Sequence, residues 1–159
     1  MNAQKKRKGG RVSISVATIL VVAALTRISL AGGGGPIAVQ DVWSFPAIVV
    51  AGDPEATAVV YLEVINRGKE PDRLLGAKSG VCRVAELHDM KIVGDVMRME
   101  PIVGGIEIPA GESVRLAPGG KHLMLVGLKR SLSAGERFSV ELDFAKSGTL
   151  TVESIVKSP

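Results

Sequence analysis

The chain has 159 residues, enough for one domain with its own core. Lys and Arg outnumber Asp and Glu by 20 to 16, yet residues 1–31 carry six of the bases (Lys5, Lys6, Arg7, Lys8, Arg11 and Arg27) and no acid, so the net charge of +4 becomes −2 without them. With one Trp, one Tyr and three Phe in all, the body of the chain has neither the positive field nor the stacking surface of a nucleic-acid binder.

The basic head at Lys5–Lys8 is followed by Val12 to Thr26, 15 uncharged and mostly apolar residues. Ser29-Leu30-Ala31 then sets small residues at the −3 and −1 positions of a cleavage site. This is the order of a secretory signal peptide, expected as a helix within residues 1–31. Arg27 ends the apolar run short of the roughly 20 residues a spanning helix needs, so cleavage is expected, with an uncleaved membrane anchor as the alternative. No Cys follows the run to accept a lipid. Export places the protein in the periplasm or cell envelope, an oxidising compartment. Gly32–Gly35 and Pro36 read as a flexible spacer. Residues 32–57 are taken as this spacer plus an N-terminal edge segment, in which Val42, Trp43 and Phe45 form an edge strand bounded by Pro46 and Pro54.

Strands dominate from Ala58 onward. Ala58–Asn66 is rich in β-branched residues and ends at an Asn66-Arg67-Gly68 turn. Cys82–His88 alternates weakly and Val96–Met99 is short; Ser113–Leu116 and His122–Val126 each follow a Pro/Gly turn. Arg137–Phe144 puts Phe138, Val140, Leu142 and Phe144 on one face, and Thr149–Ile155 closes the chain. About seven short strands, with no sustained helical period, predict an all-β domain over residues 58–156, a β-sandwich or Greek-key barrel.

Both histidines of the chain and four of its five methionines fall between His88 and Met124. Residues two apart on a strand share a side, about 6.6 Å apart. His88/Met90, Met97/Met99 and His122/Met124 are pairs of this kind. Thioether sulfur is soft and suits Cu(I), whereas zinc prefers thiolate, imidazole or carboxylate. Outside the cytoplasm paired thiols oxidise to disulfides, while thioethers stay ligating. A blue-copper centre needs a cysteine beside its histidines. The only one, Cys82, lies six residues before His88, about 20 Å along an extended strand, and reads as a core residue. Each methionine taken singly also reads as core filling, so the residues alone leave a metal site and a packed core both open.

The same residues carry a resemblance. The sequence is similar to the periplasmic copper-A chaperones, the copper(I)-binding PCuAC family. The family pattern is a His, about ten residues, a Met, about twenty-one residues, then His-x-Met. Here His88 precedes Met99 by ten intervening residues, and twenty-two separate Met99 from His122-Leu123-Met124. Matching phrases are ELH at Glu86–His88, MRMEP at Met97–Pro101, IPAGE at Ile108–Glu112, APGGKHLMLVGL at Ala117–Leu128 and YLEVIN at Tyr61–Asn66. The resemblance implies a cupredoxin-like Greek-key barrel binding Cu(I) through His88, Met99, His122 and Met124, with Met97 and Met90 as auxiliary candidates. The extra residue between Met99 and His122 is expected at Gly104-Gly105, where a loop absorbs it; a register slip would instead turn His122 to the wrong side.

The function this implies is a copper(I) chaperone that delivers its ion by ligand exchange to a metalloprotein such as the copper-A centre of cytochrome c oxidase. A second copper carrier or a thiol-reductase is a further partner, and the membrane is met only through an uncleaved N-terminal segment. Two rivals stand beside it: a copper storage or resistance protein with the same ligands, and a non-metal secreted β-sandwich whose methionines are core. No Gly-x-Ser-x-Gly elbow, HExxH pair or phosphate-cradling loop points to an enzyme. Asp89, next to His88, reads as a supporting or surface charge.

Overall fold

The computed structural model describes residues 35–50 and 53–158, so the expected signal helix lies outside the described residues. The strands are β1 (Ile37–Ser44), β2 (Thr57–Asn66), β3 (Asp72–Lys78), β4 (Val84–Val93), β5 (Val96–Pro101), β6 (Ile106–Ile108), β7 (Ser113–Leu116), β8 (His122–Val126), β9 (Arg137–Phe144) and β10 (Gly148–Val156). Hydrogen bonding runs β4-β8-β2-β1-β10-β9-β3 and returns from β3 to β4, closing a seven-strand barrel. β5 extends the sheet beyond β4, β6 beyond β3, and β7 lies on β2 beyond the end of β8. The all-β barrel expected from the strand pattern is the fold observed.

Period-two alternation explains the closure. Val60, Leu62 and Val64 of β2, Leu123 and Leu125 of β8, and Val140 and Leu142 of β9 all point inward and are fully buried. Burying one such side chain contributes about 1.5–3 kcal/mol. The ends are held by polar groups. Buried Asn66 donates from Nδ2 to the carbonyls of Glu70 (2.8 Å) and Ile108 (3.0 Å), and its Oδ1 accepts from the Gly68 N–H (2.9 Å). Burial works to raise the Asp72 pKa, but the Ser147 hydroxyl and the N–H groups of Arg73, Lys146 and Ser147 outweigh it and hold the carboxyl below its ordinary value.

Four parts of the chain differ from expectation. β4 begins at Val84 rather than Cys82 and runs on past His88 to Val93, paired there with β5 alone. β1 is no edge strand: it pairs antiparallel with β2 and parallel with β10, and Phe45 lies just past its end. A bulge between Gln40 and Trp43, with Asp41 at φ 51°, re-aims the strand so that it can meet both neighbours. β3 is an unanticipated strand. Its alternation breaks between Leu74 and Gly76, where the register with β9 shifts. β6 is only three residues long, too short to announce itself, yet Ile106 and Ile108 are both buried.

Candidate metal centre

β4 is the middle strand of the site. On one side it pairs with β8, setting His88 opposite His122 and Glu86 opposite Met124. On the other it pairs with β5, setting Met90 opposite Met99 and Ile92 opposite Met97. Opposed residues of an antiparallel pair point to the same face, as do alternate residues of one strand. His88, Met90, Met97, Met99, His122 and Met124 therefore share one face. Because Leu87, Leu123 and Leu125 fill the core from the alternate positions, that face is the outer one. The extra residue before His122 has not slipped the register; Gly104 and Gly105 lie in the turn between β5 and β6, each at φ +81°.

The two imidazoles are the centre of the arrangement. Their ring centroids are 5.9 Å apart with planes inclined by 40°. His122 is 2% exposed and the His88 side chain 12%. His88 Nε2 lies 2.9 Å from Glu86 Oε2, and His122 Nδ1 lies 2.9 Å from the Gly120 carbonyl oxygen. Both partners are acceptors only, so both nitrogens carry the proton and donate. The other nitrogens, His88 Nδ1 and His122 Nε2, are buried without any hydrogen-bond partner. A buried polar atom left unpaired costs about 1–3 kcal/mol. In the neutral rings these atoms are lone pairs, held in one tautomer by a carboxylate and a carbonyl, the support that metal-binding histidines receive. Two such lone pairs on facing rings can grip one small cation with metal–nitrogen bonds of about 2 Å.

The methionines surround this pair unevenly. Met124 is half-buried, two residues along β8 from His122. Met99 is 47% exposed and sits on β5 at the level of Met90. Met124 and Met99 thus flank His88 on opposite sides, at rungs four residues apart along β4 and on strands two spacings apart, which sets their backbones about 16 Å from each other. Neither fills the core, which is where a purely structural role would put them. Among the described residues no group of three or more His, Cys, Asp or Glu side chains is placed to hold a metal, so a site on this face would be completed by sulfur.

Glu86 is the residue that sequence reasoning missed. Of the two readings of Asp89, a supporting or a surface charge, strand parity favours the second, because odd-numbered positions of β4 face away from the site. Glu86, two residues back, shares the His88 side, a relation already legible in the phrase Glu86-Leu87-His88. Cys82 is buried in the core, as expected, with its thiol 3.7 Å from the Ser79 carbonyl. Burial pushes its pKa up, only partly offset by the Lys129 charge, so a ligating thiolate is disfavoured. A separate cleft of about 290 Å³, walled by Trp43, Tyr61, Glu63, Arg115 and Lys157, contains none of the six donors; it reaches Pro118, in the loop that orients His122.

Three comparisons bear on this arrangement. The model of the LpqE-like family, described as "putative lipoprotein", matches residues 37–156. A curated relative from Leifsonia xyli subsp. xyli, "Putative lipoprotein Lxx21020", is 38% identical over 95 residues, which are 60% of this chain and 57% of that protein. The match thus spans little more than half of the relative's length. Among solved structures, the copper-bound PCuAC domain from PmoF2 is 28% identical with a TM-score of 0.61, covering 79% of this chain and 95% of that one. CuI-DR1885 from Deinococcus radiodurans is 27% identical with a TM-score of 0.53, covering 81% and 85%. The resemblance to PCuAC domains read from the motifs is therefore shared by the whole barrel. The lipoprotein description finds no acceptor in Cys82, whose thiol is enclosed by the core.

Proposed function

The chain belongs to the LpqE-like family, and from that premise we propose that it is a copper(I) chaperone of the bacterial cell envelope. Copper is its cargo. The observation that carries this reading is the pair of opposed imidazoles, 5.9 Å apart, each hydrogen-bonded through one nitrogen and each with the other nitrogen buried and unpartnered. The copper-bound PCuAC domain and CuI-DR1885, which resemble the barrel, support the choice of ion.

In this reading His88 Nδ1 and His122 Nε2 form the permanent grip. Met124 and Met99 supply thioether sulfur from either side, moving inward along flexible side chains. Cu(I) accepts two to four soft ligands, so one thioether can leave while the imidazoles hold. Met99, exposed and on the outer strand, is the ligand an incoming donor displaces first. Glu86 keeps the His88 lone pair turned toward the ion, and the Gly120 carbonyl does the same for His122. The ion then passes by ligand exchange to a metalloprotein, for which the copper-A centre of cytochrome c oxidase is the proposed recipient. A thiol-reductase or a second copper carrier would act beside it. Export by the N-terminal segment would bring the barrel to the periplasmic side.

An anaerobic Cu(I) competition titration tests the core of this. The protein should take up the ion, and a His122→Ala/Met124→Ala double variant should lose the tight equivalent. Undiminished binding in that variant would remove the site.

A further inference from the structure

We propose that Met90, Met97 and Met99 form a second soft-metal site, an all-thioether landing site for Cu(I) on the β4–β5 hairpin. It rests on the copper reading above but concerns different donors. Pairing of β4 with β8 stops at His88–His122, while pairing with β5 continues to Val93–Val96. The hairpin beyond residue 88 is therefore a two-stranded ribbon that projects past the barrel.

One face of that ribbon is made of Met90 opposite Met99 and Ile92 opposite Met97. Directly opposed Cβ atoms lie about 4.5–5.5 Å apart and diagonal ones about 7–8 Å. Met97 and Met99 are separated by about 6.6 Å along their strand. Three thioether side chains on Cβ atoms this close are long enough to meet at one point. Met97 is 59% exposed and Met99 47%, so they stabilise no core. The charges of the ribbon, Asp89, Lys91, Arg98 and Glu100, occupy the alternate positions and face the other way, with Lys91 and Glu100 paired at 3.3 Å. The methionine face is accordingly neutral and free of hard oxygen ligands. That combination selects a soft monovalent ion over zinc or calcium. A merely adhesive apolar patch would need no sulfur.

Met99 belongs to both donor sets and links them. An ion held by the trio keeps its bond to Met99 sulfur. The bond to Met90 or Met97 breaks as one forms to His88 Nδ1, whose lone pair is free of a proton. Copper stays +1 throughout, and no proton or electron moves.

The test is a Cu(I) titration of the full chain, followed by the ε-methyl signals of 13C-labelled methionine and the imidazole signals, both observable because Cu(I) is diamagnetic. Two separable equivalents are expected, one moving the imidazoles and the Met124 methyl, the other moving the Met90 and Met97 methyls, with the Met99 methyl, which the two sets share, responding to both. Met90→Leu/Met97→Leu, which preserves apolar character, should keep the first equivalent and abolish the second. Met97→Leu alone, at the more exposed position, should weaken the second without touching the fold. Methyls of Met90 and Met97 that never move in the wild type, or a second equivalent that survives in the double leucine variant, overturns the proposal. Failure of the chaperone reading has a different signature: imidazole signals unmoved at any ratio.

Discussion

At the scale of single residues, the pair Glu86 and His88 shows how a carboxylate outside the donor set can govern it. Glu86 Oε2 accepts the Nε2 proton of His88 at 2.9 Å, which leaves Nδ1 as the basic atom. Supporting partners of this kind are worth about 10–100-fold in metal affinity. Glu86→Gln keeps an acceptor but loses the charge, so roughly tenfold weaker Cu(I) binding is expected. Glu86→Ala removes both and should approach the upper end of that range. The Glu86 side chain is 48% exposed, so neither change should alter the fold, which circular dichroism would confirm. If Glu86→Ala left the affinity unchanged, His88 would not be binding through Nδ1. The candidate donors stood out because His and Met are scarce in this chain and cluster, and the strand pairing sets them on one face. Glu86 is legible only through strand parity, and the weak alternation of this segment hides that parity, whereas Asp89 is adjacent to His88 in sequence.

At the scale of elements, legibility followed the regularity of each strand. β7, β8 and β9 coincide with the boundaries expected from the sequence, since each is a clean run after a Gly or Pro turn. β3 was invisible because a bulge and Gly76 break its alternation and Leu75 is left 53% exposed. β1 looked like an edge because two prolines follow it nearby, whereas the bulge at Asp41 lets it bridge two neighbours. The β5–β6 turn carries a sharper constraint. Gly105 has φ +81°, and a Cβ there would collide with the Leu74 carbonyl oxygen. Gly104 has the same φ but open space around it. The left-handed conformation alone costs a non-glycine residue about 1–2 kcal/mol. Gly104→Ala should lose about that much stability in urea unfolding, and Gly105→Ala distinctly more, because β3 must also move. Equal losses would mean the turn yields freely and does not fix the β3–β6 pairing.

At the scale of the whole molecule, the barrel is closed by two thin seams. β1 and β10 share the registered pairs Trp43–Ile155 and Ser44–Val156, and β3 and β4 share only Ala77–Ala85. Between the seams lie two well-paired sheets, β4-β8-β2-β1 and β10-β9-β3, so the fold is both the sandwich and the barrel that its sequence suggested. β4 borders one seam and also bears His88. An ion gripped by β4 and β8, with sulfur from β5, would therefore tie down the strand whose inner partner holds it least. Binding to the folded state alone adds stability by mass action, about 2.7 kcal/mol with free ion at 100 times its dissociation constant. For a domain of this size each kcal/mol moves Tm by about 2–4 °C, so Cu(I) should raise Tm by roughly 5–10 °C. The gain should appear first as slower amide exchange in β4, β5 and β8, with β9 and β10 little affected. His122→Ala should remove both the Tm shift and the local protection. A Tm shift that persists in that variant, or protection spread evenly over all strands, would mean that the ion binds elsewhere than across β4 and β8.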